Sequence, residues 1–110
     1  MKHPLLNNVK AGIELLDTEL SDWYRDIDTD TLTMNSGCNC ILGQMYGDYI
    51  EGSEYLYSKY NTDKEDIPIL EYMINHGFEG THWSEYGILQ RYWTSEVEKR
   101  ERARENNNSS

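Results

Sequence analysis

Phenylalanine is almost missing from this chain, with one residue in 110 beside nine tyrosines and three tryptophans. Most of its aromatic area therefore ends in a polar tip, which suits half-buried positions and interfaces better than a dry centre. Cysteine is nearly absent too. The two present, Cys38 and Cys40, sit one residue apart, and the ring they would close is too tight to staple a fold. They read as reduced thiols of a cytosolic protein. Basic residues are scarce, ten Lys and Arg against twenty Asp and Glu, for a net charge of -10. That sign argues against direct binding to nucleic-acid phosphates and to anionic membrane surfaces. No apolar run approaches the roughly 20 residues of a membrane span. The N-terminus, Met1 to Asn8, carries a charge but no apolar stretch, so it does not read as a secretory signal. A phosphate-cradling glycine loop and a serine-nucleophile elbow are also lacking.

What is present suffices for one domain with a small core, since 37% of the residues are hydrophobic. Leu6, Val9, Ile13, Leu16, Leu20, Trp23 and Ile27 alternate steps of three and four. This stripe predicts an amphipathic helix over about 5–26, with Pro4 tolerated in its first turn. The flanking Lys10, Asp17, Glu19 and Asp26 are mostly of one sign, so a parallel self-paired coiled coil would gather acids along its edges. The helix is expected to pack inside its own domain, and a monomer is favoured.

A polar connector over 26–37 follows, anchored by Leu32 and Met34. A second helix is expected from Ser36, which can cap it. Its inward face is Ile41, Leu42, Met45, Tyr46 and Tyr49, and Cys40, Gly43 and Gly47 form a strip of small residues opposite. Residues 53–60 read either way: Tyr55 and Tyr57 alternate as in a strand, while Leu56 and Tyr60 fit a helical step. Asn61 to Lys64 reads as a loop. Asp66-Ile67-Pro68 opens a short helix with Ile69, Leu70, Met73 and Ile74 inward, ended by His76-Gly77 through a left-handed glycine. Thr81 can cap the last helix, whose inward face is Tyr86, Leu89, Trp93 and Val97, widened by Trp83, Ile88 and Tyr92. The fold class is thus all-α: a compact bundle of about four helices with one short irregular or strand-like segment. Residues 1–97 form the domain, and 98–110 a charged helical extension and a disordered tail.

The chemistry-bearing residues give little. Cys38 and Cys40 with His3, His76 or His82 would make a zinc set, but structural zinc favours spacings of roughly two to four residues. On a helix the two thiols would also diverge by about 200°, and only a non-helical turn over Gly37-Cys38-Asn39-Cys40 could present both to one ion. Asp26, Asp28 and Asp30 match the opening of a calcium loop, yet Thr31 stands where its glycine belongs and Gly37 where its final acid belongs. His76 with Glu79, or Cys40 with His76, are conceivable catalytic pairs without any spacing to support them. At a helix C-terminus His76 reads instead as a partner of the last carbonyls. No catalytic residue, metal ligand or cofactor is assigned.

The pieces Leu16-Asp17, Trp23, Ile27-Asp28, Leu32, Cys40-Ile41-Leu42-Gly43-Gln44, Gly47, His76-Gly77-Phe78 and Trp93 carry a resemblance. Together they are similar to a family of small phage and prophage proteins, chiefly of actinobacteria, with a C-[IV]-L-G-Q-x-x-G motif. The resemblance spans Leu16 to Val97. It implies residence in an infected host's cytoplasm but supplies no activity, substrate or cofactor. Relatives often carry Pro-Gly before the tryptophan where this chain has Ser21-Asp22, a point where the first helix can break.

The remaining lead is charge. Glu14, Asp17, Glu19, Asp22, Asp26, Asp28 and Asp30 lie in one segment with Arg25 as its only base. Residues 98–105 hold four Lys or Arg and three Glu, a net of +1, which leaves -11 for the rest. The expected function is a non-enzymatic phage accessory protein that binds an unidentified host or phage protein, one outcome being to counter host defence. Its binding residues would be Asp17, Asp22 and Asp26 together with Tyr55, Tyr57 and Tyr60 as aromatic anchors. The alternatives are an acidic mimic that fills a nucleic-acid-binding groove, and a small Cys/His metal protein.

Overall fold

In a computed structural model that describes residues 4–61 and 67–108, the first stripe forms a helix, α1 (Leu5–Glu19), shorter than its spacing predicts. Leu20 is extended and 46% exposed, and the chain turns through Ser21-Asp22 into a 3-10 turn over Trp23–Asp26. The break has a local cause. The indole of fully buried Trp23 donates to Asp17 Oδ1 at 2.9 Å, a bond that folds the ring back under α1. Ser and Asp at the break favour turns through side-chain bonds to backbone.

The connector is anchored as expected, with Leu32 and Met34 buried. Gln44 holds it in place: its Oε1 accepts from Asp28 N at 2.6 Å, and its Nε2 donates to the carbonyls of Asp28 and Asn39. The expected helix from Ser36 resolves into three pieces. Residues 36–40 form a turn, in which Ser36 Oγ accepts from the amides of Cys38 and Asn39. Helix α2 (Ile41–Tyr46) ends at Gly47 in the left-handed region, φ 90°. Helix α3 (Tyr49–Tyr60) then starts afresh, capped by Asp48, whose carboxylate accepts from Ile50 N and Glu51 N. Gly47 is therefore a helix stop and not part of a packing strip. Gly43 does mark a close approach: a Cβ there would lie 2.5 Å from Gly37 O. The ambiguous 53–60 stretch is helical.

Helix α4 (Ile69–Asn75) ends as predicted, with Gly77 at φ 74°. Tyr72 and Met73 are its buried residues, while Leu70 faces outward. The loop expected over 62–64, Asp66, His3 and the last two serines lie outside the described residues. Helix α5 (Glu85–Asn108) carries on through Asn106, Asn107 and Asn108, where disorder was expected. Thr81 lies before its start: the Glu85 carboxylate accepts from Thr81 N and Oγ1. At about 1.5 Å per residue α5 runs roughly 36 Å, and the whole measures 48 × 29 × 29 Å.

The core gathers α1, the 3-10 turn, α4 and α5 around two tryptophans. Trp93 meets Trp23 edge-on at 5.7 Å and stacks on Phe78 at 5.4 Å. Both indoles are completely buried and both N–H groups are satisfied, that of Trp93 by Gly77 O at 2.8 Å. Gly12 and Gly77 let α1 sit directly on the end of α4. A Cβ on Gly12 would reach 2.0 Å from His76 O, and one on Gly77 2.7 Å from Val9 Cα. Among the described residues there is no strand, so the all-α expectation holds.

Candidate functional site

Glu19 closes α1 at the negative end of the helix dipole, a poor place for a carboxylate without partners. Helix α3 supplies them. Tyr55 and Tyr60 donate their hydroxyls to its two oxygens at 2.6 Å each, and Lys59 Nζ reaches Oε1 at 2.8 Å. Burial acts to raise the Glu19 pKa, but the hydrogen bonds from Lys59, Tyr55 and Tyr60 outweigh it and hold the value low. The same bonds, led by that to Glu19, raise the pKa of Lys59 and of Tyr60. Beside them Tyr46 is pushed up to about 12, first by burial and then by the Glu19 charge. Tyr57 is turned elsewhere. Its hydroxyl donates to Ile67 O, and its ring meets Tyr72 edge-on at 5.5 Å.

The three predicted aspartates sit in different environments. Asp17 is half-buried and fully occupied: besides the Trp23 indole it takes a two-pronged bond from Arg100, at 2.6 and 2.8 Å. That guanidinium lies over the Trp23 ring, 5.6 Å from its centre, and its Nε donates to Glu96 at 2.6 Å. The charged extension beyond Val97 is thus pinned to α1 at Arg100. Asp22 and Asp26 are exposed, Asp22 within 3.7 Å of Arg25.

Cys38 and Cys40 lie in a turn, not on a helix, so the divergence expected of helical thiols does not apply. Their environments still differ. Cys38 is exposed, whereas Cys40 is buried and caps α2 by accepting from Gly43 N at 3.3 Å. Burial pushes the Cys40 thiol up, away from thiolate character. His76 Nδ1 donates to Tyr72 O at 2.8 Å and the ring stacks on that of Tyr72, the helix-end role anticipated for it. Among the described residues no three His, Cys, Asp or Glu side chains converge as metal ligands would.

Sequence reasoning missed Glu79 as a hub. It accepts from Tyr49 at 2.5 Å and from Tyr86, and faces a cleft of about 90 Å³ between the 34–37 turn and α5. Burial, then the bond to Glu79, raises the pKa of both phenols, so they stay donors. The cleft equals roughly three waters in volume and falls well below the roughly 300 Å³ of a ligand pocket. Sequence reasoning also missed the exposed apolar residues. Trp83, placed on the inner face of the last helix, is 80% exposed; it precedes the helix and is flanked by Thr81, His82, Ser84 and Glu85. That polar flanking was the available signal. Ile50 and Leu70, exposed by 60% and 56%, stand at a groove of about 200 Å³ between α3 and α4.

No helix among the described residues is long and apolar enough to cross a membrane. Comparison with protein-family models, with curated proteins and with solved structures finds nothing that matches this chain.

Proposed function

We propose that this chain is a small non-catalytic binding protein of phage or prophage origin, which acts in the host cytoplasm by docking onto a host or phage protein. The observation that carries the reading is Trp83, four-fifths exposed in a fold that buries its other two tryptophans completely. Its ring contacts only the neighbouring His82 ring among the aromatics, at 5.5 Å, so it contributes little to the core. Tryptophan is among the residues most enriched at interface hot spots, where its large rigid face is desolvated at small entropic cost. The anchor is therefore moved from the tyrosines of α3, whose hydroxyls are held by Glu19 and Ile67, to the turn before α5.

The acidic-mimic reading gains no such support. A mimic needs free carboxylates in phosphate-like array, and in the acidic segment Asp17 and Glu19 are neutralised by Arg100 and Lys59. The test is affinity capture from expressing cells with wild-type and Trp83→Ala protein, read by mass spectrometry. Loss of a hot-spot tryptophan costs about 2 kcal/mol or more, roughly 30-fold in affinity. The recovered partner should disappear while the thermal unfolding midpoint stays put. A partner recovered equally by both proteins would refute Trp83 as the anchor.

A further inference from the structure

The groove between α3 and α4 is the second outward apolar feature, and its walls say what would fill it. Ile69, Leu70 and Met73 of α4 face Tyr49, Ile50 and Ser53 of α3, with Glu54 and Glu79 at the edges. Met73 and Ser53 are buried and form the floor, while Ile50 and Leu70 stand exposed on opposite sides. The volume, about 200 Å³, exceeds the roughly 150 Å³ of a cavity that admits benzene, so one leucine- or phenylalanine-sized side chain fits.

Charge on the two helices is one-sided. Helix α3 carries Glu51 and Glu54 and helix α4 carries Glu71, all exposed, whereas the single base, Lys59, is already bound to Glu19. An apolar slot with Glu54 on its rim and Glu51 and Glu71 exposed on the same two helices matches a segment whose apolar face alternates with Lys or Arg, and it repels an acidic one.

We infer that the α3–α4 groove is a docking site for a basic amphipathic helix of a partner protein, its apolar anchor between Ile50 and Leu70 and its cations toward Glu51, Glu54 and Glu71. This rests on the protein-binding reading above and adds a second contact to it.

The probe is a synthetic amphipathic helix of leucine, alanine and lysine, titrated into the ¹⁵N-labelled full chain, beside a counterpart with glutamate in place of lysine. Amide shifts should concentrate on residues 49–54 and 69–73. Affinity should fall about tenfold in Ile50→Ser and in Leu70→Ser, the scale of one lost aliphatic contact. It should also fall steeply with added salt, and the glutamate peptide should not bind. Both substitutions are at exposed positions, and unchanged unfolding midpoints would confirm that the fold is intact.

Shifts spread over Asp22 to Asp30, wild-type affinity in both variants, or equal binding of the two peptides would each overturn the groove. A concentration-dependent dimer abolished by Leu70→Ser would also overturn it, by making the occupant a second copy. Shifts confined to the Trp83 turn would overturn the groove while leaving the protein-binding reading intact; failure of that reading would show instead as wild-type protein that captures no partner.

Discussion

Glu19 shows how a side chain's neighbours reverse what its position would impose. Burial and the negative end of α1 both oppose its charge, yet two phenols and an ammonium keep it ionised below the ordinary value of 4.5. A carboxylate whose folded pKa is depressed contributes stability above its unfolded pKa and loses it as pH falls through the folded one. Stability should therefore decline from about pH 4.5 downward, and Glu19→Gln should remove part of that decline while lowering stability near neutrality. Denaturant unfolding of both proteins between pH 7 and pH 3 checks this; parallel curves would show that Glu19 is not responsible. No sequence pattern announces this cluster. Its donors lie 36 to 41 residues away, and only the fold brings α3 to the end of α1.

At the scale of elements, Asp17 ties three pieces together: α1 that carries it, the 3-10 turn through Trp23, and α5 through Arg100. Truncating it leaves a buried indole N–H unsatisfied, worth about 1–3 kcal/mol, and strips Arg100 of its two-pronged partner. Asp17→Ala should lower stability by about 2–4 kcal/mol, as for loss of one member of a partly buried pair. Asp22→Ala, at an exposed pair, should stay within about 0.5 kcal/mol. Guanidinium titration separates the two, and equal effects would mean that Asp17 is only a surface charge. Reversing Asp17 to lysine, the change that would probe it as a docking residue, would disturb the fold before it could report on binding.

The helices were legible where periodicity and stop signals agreed. Gly77 after His76 ended α4 as read, and Leu32 and Met34 anchored the connector. The stripe through Leu20 is continuous in sequence and predicts a helix to about residue 26, whereas the chain breaks around Ser21-Asp22, the point marked for a break by the resemblance, and Trp23 bonds back to Asp17. Elsewhere the local pattern was silent. Gly43 and Gly47 share helical spacing, and nothing local tells a close-approach glycine from a left-handed stop. Trp83 is in register with Tyr86 and Leu89, so spacing placed it inward; the helix begins two residues too late to take it there.

Across the whole molecule, the centre is completed by α5, which follows every other element in the chain. Leu89, Trp93 and Val97 all come from α5, and Arg100 meets a residue 83 positions earlier. During synthesis, at about 5–20 residues per second, α1 through α4 emerge with Trp23 and Phe78 still lacking the indole that covers them. Closing so distant a pair also costs more chain entropy than local helix pairing. The nascent protein therefore gains its locked state only once α5 is available and, until then, presents its surroundings with an uncovered aromatic surface, the kind that chaperones hold.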